Sequence, residues 1–207
     1  MKAVLKSIHY TDLVKQMGFG DLLKIDDCYV PRVFAQWIAD HTFPEAESIC
    51  INDKTIPLTP DSVKDVLNIP SGTLPVESDE EAGKVAFLAL FGVTEVPPIS
   101  FFGNKIISET LEDGVFCRCF MIVSLGTFLC PNSNTKPSTK YMGALIDVDN
   151  IKHRNWCKFV HKWLMTYIAK YRKDKLKQNL MSLTLGGCIY QLAVRMHLPF
   201  PFFYVLV

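Results

Sequence analysis

Three side chains with metal-binding and nucleophilic chemistry follow one another at helical spacing in the C-terminal half of the chain. His153, Cys157 and His161 stand at positions i, i+4 and i+8. Two ligands one turn apart can share a zinc ion, but the outer pair would lie about 12 Å apart and no fourth ligand has an evident source. A nucleophilic cysteine is normally presented on an exposed turn rather than within a helix. We therefore predict packing roles here, with no catalytic residue, no metal and no cofactor.

The cysteines as a group favour the same interpretation. There are 7 of them, an odd number, scattered and mostly within apolar segments. This pattern is typical of reduced, buried thiols in an intracellular protein, nuclear or cytoplasmic, rather than of a disulfide framework. Cys117-x-Cys119 lacks the two-residue gap of zinc knuckles, and its thiols would point about 200° apart on a helix. A mitochondrial presequence in the basic opening MKAVLKSIHY is the alternative, but this segment has no arginine.

Charge is segregated along the chain, although the formal net charge is only +1. Residues 40–113 hold 14 acidic and 4 basic side chains, whereas residues 150–177 hold 9 Lys/Arg and the single acid Asp174. A basic run of this kind is solvated, pairs with the acidic half, or binds phosphates. We favour the first two roles because no winged-helix or zinc motif accompanies the charge, and nucleic acid remains an alternative. The candidate phosphate-binding residues are Lys158, Lys162, Arg172, Lys173, Lys175 and Lys177.

Three apolar stretches must position these side chains. Val115–Cys130 is nearly all apolar, with only Arg118 charged, and predicts a buried helix. Residues 149–171 carry aromatic and aliphatic side chains at helical offsets from Trp156 to Tyr171, which predicts one broad buried face on a long helix beginning near Asp149 or Asn150. Residues 176–198 predict a last helix with Gly186-Gly187 in its middle, reached through a polar turn at 172–177. No window has the roughly 18 apolar residues that a transmembrane segment requires.

In the N-terminal half, the spacing of apolar residues changes from helical to alternating. Isoleucines alternate with polar residues over residues 48–58, which predicts a small β-hairpin. Thr59-Pro60 predicts a helix start, and Ser78 with Glu81 predicts a capping box ahead of another helix. The fold class is therefore mainly α, a helical domain with one small β-hairpin near residues 48–58. We expect a single domain over 1–207, with an N-terminal lobe at 1–75, a helical core at 78–198 and an apolar tail at 199–207.

Motifs spread over roughly residues 10–198 are similar to those of one plant family. They are GFGDLLKI at 18–25, Pro31-Arg32, Trp37-Ile38, IPLTPDSV at 56–63, VLNIPSG at 66–72, Phe120–Pro131, Tyr141–Asp147, NWCKF at 155–159 and Gly187-Cys188. Together they resemble the plant mobile domain, a transposon-associated, so-called aminotransferase-like domain related to a domain of unknown function in grass mobile elements. The resemblance implies a mainly helical domain of transposable elements and of host proteins that act in gene silencing and genome maintenance. It brings no catalytic residues, and the chain offers no recognisable pyridoxal site.

The chain ends early relative to that family pattern, in PFPFFYVLV from residue 199. We expect a C-terminally shortened copy whose apolar tail enters a groove or forms an exposed patch. The candidate partner-binding residues are Phe202, Phe203, Tyr204 and Leu206.

Three functions are consistent with these features. The first is a non-enzymatic intracellular protein-interaction domain of transposon origin, assembling with a host protein or with itself as a homo- or hetero-oligomer. The second is a truncated selfish or cytotoxic element product that captures host proteins through its apolar tail. The third is a nucleic-acid-associated domain that uses the basic face of residues 152–177.

Overall fold

The computed structural model describes residues 8–25, 29–177 and 185–197. It is mainly α-helical with a small antiparallel sheet, as predicted. The α-helices are α1 (Ile8–Gln16), α2 (Arg32–Asp40), α3 (Pro60–Leu67), α4 (Glu80–Leu90), α5 (Ile99–Ser108), α6 (Asp113–Ser124), α7 (Trp156–Leu176) and α8 (Ile189–His197). The strands are β1 (Thr42–Phe43), β2 (Ser48–Ile51) and β3 (Lys54–Pro57).

The predicted hairpin is confirmed as β2 and β3, which pair with Ile49 opposite Ile56. Asn52 adopts φ of 50° in the turn, a left-handed conformation that asparagine tolerates better than most residues. The two-residue strand β1 pairs with the other side of β2. A strand this short carries no alternation, so the sequence pattern does not reveal it.

Side-chain caps set the starts of α3 and α4. Thr59 caps α3 in a reciprocal capping box with Ser62, which confirms the predicted start. The predicted box of Ser78 with Glu81 is wrong, since Asp79 Oδ1 accepts from the backbone N–H of Ala82 at 2.9 Å. The observed cap, Asp79, lies one residue after the predicted cap, Ser78. The carboxylate of Asp79 is also stabilised by the positive end of the helix dipole.

The buried helix is α6, which continues into a π-helical turn at Leu125–Leu129. Arg118, the single charged residue of the apolar run at 115–130, donates from Nε to the Leu145 carbonyl at 3.1 Å and from Nη2 to the Ile146 carbonyl at 2.8 Å. The guanidinium therefore satisfies backbone acceptors at the end of a short 3₁₀ turn, Gly143–Leu145. The one charged residue of the apolar run therefore has a structural role, since it holds α6 to this 3₁₀ turn.

The long helix α7 begins later and ends later than its pattern predicts. Asn155 caps it by accepting from the Lys158 N–H at 2.9 Å, whereas residues 151–153 form a separate 3₁₀ turn. The predicted start near Asp149 or Asn150 is therefore wrong, because that earlier turn ends before the helix begins. The predicted polar turn at 172–177 is also wrong, since α7 runs through it to Leu176.

The last helix is shorter than predicted, and its glycines precede it. Gly187 has φ of 86°, and a Cβ there would lie 2.9 Å from the Leu164 Cα. Both features require glycine and keep this residue out of the helix, which begins at Ile189. The part of this prediction over residues 178–184 and 198 lies outside the described residues.

Two clusters of buried side chains form the interior, and α7 contributes to both. The larger cluster gathers residues from α1, α3, α4, α5, α6 and the first half of α7. In the smaller one, Leu164, Met165 and Ile168 of α7 pack with the sheet, α2 and α8. One side of α7 thus packs into the interior, and exposed lysines lie on the side away from it.

Candidate functional site: a lysine-lined groove beside α7

The six candidate phosphate-binding residues divide between two sides of α7. With about 100° of rotation per residue, Lys170, Lys173 and Lys177 lie within about 80° of Lys162 around the helix axis. All four of these lysines are exposed, and so is Lys158 one turn before them. The remaining two residues, Arg172 and Lys175, lie on another side of the helix, toward the sheet.

Arg172 and Lys175 make contacts within the chain. Arg172 Nη1 donates to the carbonyls of Asp40 at 3.0 Å and Thr42 at 2.7 Å, and its guanidinium lies 4.5 Å from the centre of the Phe43 ring. Lys175 Nζ lies 2.7 Å from both carboxylate oxygens of Asp40, and this hydrogen bond raises the pKa of the lysine. Both side chains therefore attach α7 to the end of α2 and to β1.

Lys162, in contrast, lines an open groove of about 520 Å³. One wall is α7, the other is the connector of residues 131–140, and Glu77 and Val96 lie at the edge. The lining residues are Glu77, Val96, Asn132, Asn134, Lys136, Pro137, Ser138, Thr139, Lys140, Phe159, Lys162, Trp163, Thr166, Tyr167 and Lys170. Four lysines thus meet around one cavity.

The electrostatics of the groove are dominated by these lysines. Glu77 is the single carboxylate among the described residues that line the groove, and its Oε2 lies 2.7 Å from Lys162 Nζ. Lys136, Lys140 and Lys170 are exposed and have no carboxylate partner within residues 8–25, 29–177 and 185–197. Exposed ion pairs contribute at most about 1 kcal/mol, so a polyanion can displace Glu77 from Lys162.

Aromatic side chains of α7 form the apolar part of the groove. Trp163 and Tyr167 stack with ring centroids 5.4 Å apart, and Phe159 lies 5.8 Å from Trp163. Trp163 Nε1 donates to the Pro131 carbonyl at 3.2 Å, which fixes the indole against the connector. Partial burial raises the pKa of Tyr167, so its phenol is neutral at physiological pH. The groove therefore combines cationic rims with a floor of largely buried aromatic side chains, since Phe159 is 5% and Trp163 8% exposed.

The connector is held in one shape by its own side chains. Asn132 Oδ1 accepts from the Asn134 N–H at 2.7 Å, and Asn134 Oδ1 accepts from the Lys136 N–H at 3.3 Å. The buried Tyr141 accepts at its hydroxyl from the Ser138 N–H at 3.0 Å. None of the candidate phosphate-binding residues predicted from the sequence lies in this segment. Its two lysines and its asparagine turns are the signal that was missed.

The histidine and cysteine residues at helical spacing do not converge. His153 lies in the 3₁₀ turn before α7, so the three residues do not share one helix. His161 is buried and donates from Nε2 to the Leu58 carbonyl at 3.0 Å, while Cys157 Sγ donates to the Ile69 carbonyl at 3.2 Å. Within the described parts of the chain, no three His, Cys, Asp or Glu side chains are grouped to hold a metal ion.

The thiols of α6 and α7 are in their protonated form. Burial raises the pKa of Cys117 to about 11 and that of Cys119 and Cys157 to about 12. Because the thiolate is the nucleophile, these side chains carry little reactivity at neutral pH.

The candidate partner-binding residues Phe202, Phe203, Tyr204 and Leu206 lie outside the described residues. Among the helices of the described segments, none is long and apolar enough to cross a membrane.

The fold is a mainly α-helical domain with a lysine-lined groove on its surface. The sequence matches the domain of unknown function DUF8566 over residues 5–193, and the chain belongs to that family. No curated protein and no solved structure matches the chain. The resemblance to the plant mobile domain stays a prediction.

Proposed function

We propose that this chain is a non-enzymatic binding domain that holds the phosphate backbone of a nucleic acid on the groove beside α7. The supporting observation is the meeting of Lys136, Lys140, Lys162 and Lys170 around one cavity, whose lining includes a single carboxylate among the residues that the structure describes. The positive charge of a lysine without a carboxylate partner is not neutralised within the protein, so it attracts an anionic ligand. Nucleic-acid phosphates are polyanions that such a surface binds.

The exposed face of α7 extends this surface beyond the cavity. Lys173 and Lys177 follow Lys170 on the same side of the helix, and the distance from Lys162 to Lys177 along the axis is roughly 22 Å. A row of this length can contact several successive phosphates. Each neutralised phosphate releases counterions, so the affinity should fall steeply with salt concentration.

A binding role fits the side chains better than a catalytic one. Cys157 and His161, the pair with the best spacing for nucleophilic chemistry, are both buried and donate to backbone carbonyls. The groove itself contains lysines, amides and hydroxyls but only one carboxylate, which is paired with Lys162. These observations support contact rather than bond-making as the activity.

Fluorescence anisotropy with a labelled 20-nucleotide oligonucleotide tests this proposal. The double variant Lys140→Gln with Lys170→Gln should weaken binding, and it should reduce the slope of log affinity against log salt by about 1.4 to 1.8 for two lost contacts. The matched control is Lys64→Gln with Lys152→Gln, which removes two exposed positive charges away from the groove. Equal effects of the two doubles, or binding that is indifferent to salt, would count against the groove.

A second candidate function is protein interaction, and the exposed side of α4 favours it. Ala82, Val85, Ala86, Ala89 and Leu90 form an uncharged face there, with Val85 59% and Leu90 46% exposed. An apolar helix face of this kind supports docking of another polypeptide or a second copy. Light scattering after size-exclusion chromatography tests self-association. Val85→Glu with Leu90→Glu should convert any oligomer to monomer, and an unchanged mass would exclude this face.

A further inference from the structure

We infer that the groove recognises a chain of phosphates without reading bases, so that it binds a nucleic-acid backbone and inorganic polyphosphate alike. This inference rests on the proposed function and names the chemistry that the same site recognises. Three observations carry it. The floor of the groove offers no face to a base, polar side chains of the lining are hydrogen-bonded within the chain, and the cations of the groove are lysines.

The floor of the groove leaves no aromatic face on which a base could stack. Phe159 and Trp163 are buried members of the larger interior cluster. The Tyr167 ring stacks with Trp163, and a Cβ on Gly186 would come within 2.4 Å of that tyrosine ring. Proteins that hold unpaired bases stack them on accessible aromatic side chains. A strand bound here therefore keeps its bases away from the floor, and its phosphates make the contacts.

Side chains of the lining that could read a base edge are engaged within the chain. Asn132 accepts from the Asn134 N–H at 2.7 Å and donates to the Lys136 carbonyl at 3.4 Å. Asn134 Oδ1 accepts from the Lys136 N–H at 3.3 Å, and the Thr166 hydroxyl donates to the Lys162 carbonyl at 2.8 Å. Sequence is read by hydrogen bonds to base edges, whereas contacts with phosphates carry no sequence information. These side chains shape the walls, and the ammonium groups contact the ligand.

The cations of the groove are lysines, whereas arginines are used inside the fold. Each of four arginines donates to a backbone carbonyl, and none of the described lining residues is an arginine; the four are Arg118, Arg154, Arg172 and Arg195. A guanidinium fixes the geometry of a bidentate contact, but an ammonium is a point charge on a flexible stem. Lysines on the two walls can therefore follow phosphates at different spacings, including those of a chain without sugars or bases.

Three ligands of equal phosphate number test this inference on the unmodified chain: a 5′-phosphorylated 12-nucleotide oligothymidylate, an abasic strand of the same length and inorganic polyphosphate of 12 phosphates. Fluorescence anisotropy measures the first two, and displacement of the labelled oligothymidylate measures the third. The two strands should bind within about twofold of each other, since stacking of even one base would contribute at least about fivefold. Polyphosphate should displace the oligothymidylate. A preference of about fivefold or more for the oligothymidylate over the abasic strand, or no displacement by polyphosphate, would overturn the inference.

The double variant Lys136→Gln with Lys162→Gln tests whether the three ligands share the groove, because it removes one cation from each wall. It should weaken all three by the same factor, roughly tenfold at about 0.1 M salt for two lost contacts. Lys64→Gln with Lys152→Gln is again the matched control, since both of these exposed lysines lie away from the groove. A loss confined to the two strands would place polyphosphate elsewhere and contradict the inference.

The same measurements separate this inference from the proposed function. If the oligothymidylate binds with a steep dependence on salt but the abasic strand binds about fivefold more weakly, the nucleic-acid function holds and the inference fails. If neither strand binds, both fail.

Discussion

The two sides of α7 carry the same residue types and are used differently. Toward the sheet, Arg172 and Lys175 donate to Asp40 and Thr42 and hold the helix against its neighbours. Toward the groove, Lys170 has no carboxylate partner within the described residues, and Lys162 has one that is exposed. Lysines and arginines that are close together in the sequence therefore lie on different sides of the helix and have different roles. The side of α7 on which a cation lies, rather than the number of cations in the segment, decides whether it is available to bind a ligand.

The largest expected effect is on the interior side of α7. Gly187→Ala should lower the free energy of unfolding by roughly 3 kcal/mol, because φ of 86° strains any other residue and the new Cβ would meet the Leu164 backbone at 2.9 Å. Urea denaturation measures this. Gly92→Ala is the control, since Gly92 also has a positive φ of 62° but nothing within 4 Å of its Cβ. It should cost only about 1 kcal/mol. Equal losses would mean that contact with α7 contributes nothing.

The next largest effect is the difference in stability between substitutions of Arg172 and Lys170, which lie on the two sides of α7. Arg172→Ala should cost about 2 kcal/mol, because it removes two hydrogen bonds to backbone carbonyls and the contact with the Phe43 ring. Lys170→Ala should change stability by less than about 0.5 kcal/mol, as exposed substitutions usually do. Both values come from urea denaturation at neutral pH. A loss of stability in Lys170→Ala comparable to that in Arg172→Ala would break the division between the two sides.

A smaller effect should appear at high pH. Burial raises the pKa of Cys157 to about 12 from an ordinary value of 9.0. Between these two values the unfolded thiol releases its proton and the folded one keeps it, so stability falls as the pH rises. The slope is at most about 1.4 kcal/mol per pH unit for this thiol. From pH 9 to 10, Cys157→Ala should therefore lose less stability than the natural chain. Parallel curves would place the thiol in contact with water.

The smallest expected effect sharpens the groove itself. Glu77→Gln removes the one carboxylate of the lining and frees Lys162, so affinity for an oligonucleotide should rise about twofold. Stability should change by less than about 0.5 kcal/mol, because the ion pair is exposed. Anisotropy and urea denaturation report these two quantities separately. Weaker binding by this variant would assign Glu77 a positive role in holding the ligand.

Much of the fold is predictable from the sequence, because its causes are local. The isoleucine alternation in β2 and β3, the capping by Thr59 and the aromatic periodicity of α7 each depend on residues within a few positions of one another. Helix boundaries are less predictable. Whether Ser78 or Asp79 caps α4 depends on a choice between adjacent residues that both fit the cap pattern. The end of α7 depends on contacts with Asp40, which lies more than 130 residues away in sequence.

The groove could be predicted only in part. Lys162 was a candidate because it lies in the basic run, but Lys136 and Lys140 come from a connector whose position over α7 is set by Tyr141 and Pro131. Nothing in the local sequence relates the connector to α7, since the contact is tertiary. Charge density therefore identifies the helix, whereas the cavity requires the fold.

One backbone hydrogen bond has a consequence for how the groove meets its ligand. The N–H of Ile99, the first residue of α5, donates to the Thr135 carbonyl at 2.9 Å, so the middle of the connector is tied to a helix end. With Ser138 tied to Tyr141 as well, the rim is preorganised before any ligand arrives. Association should then require little ordering of the rim, and the Ile99 amide should exchange slowly with deuterium in the free protein.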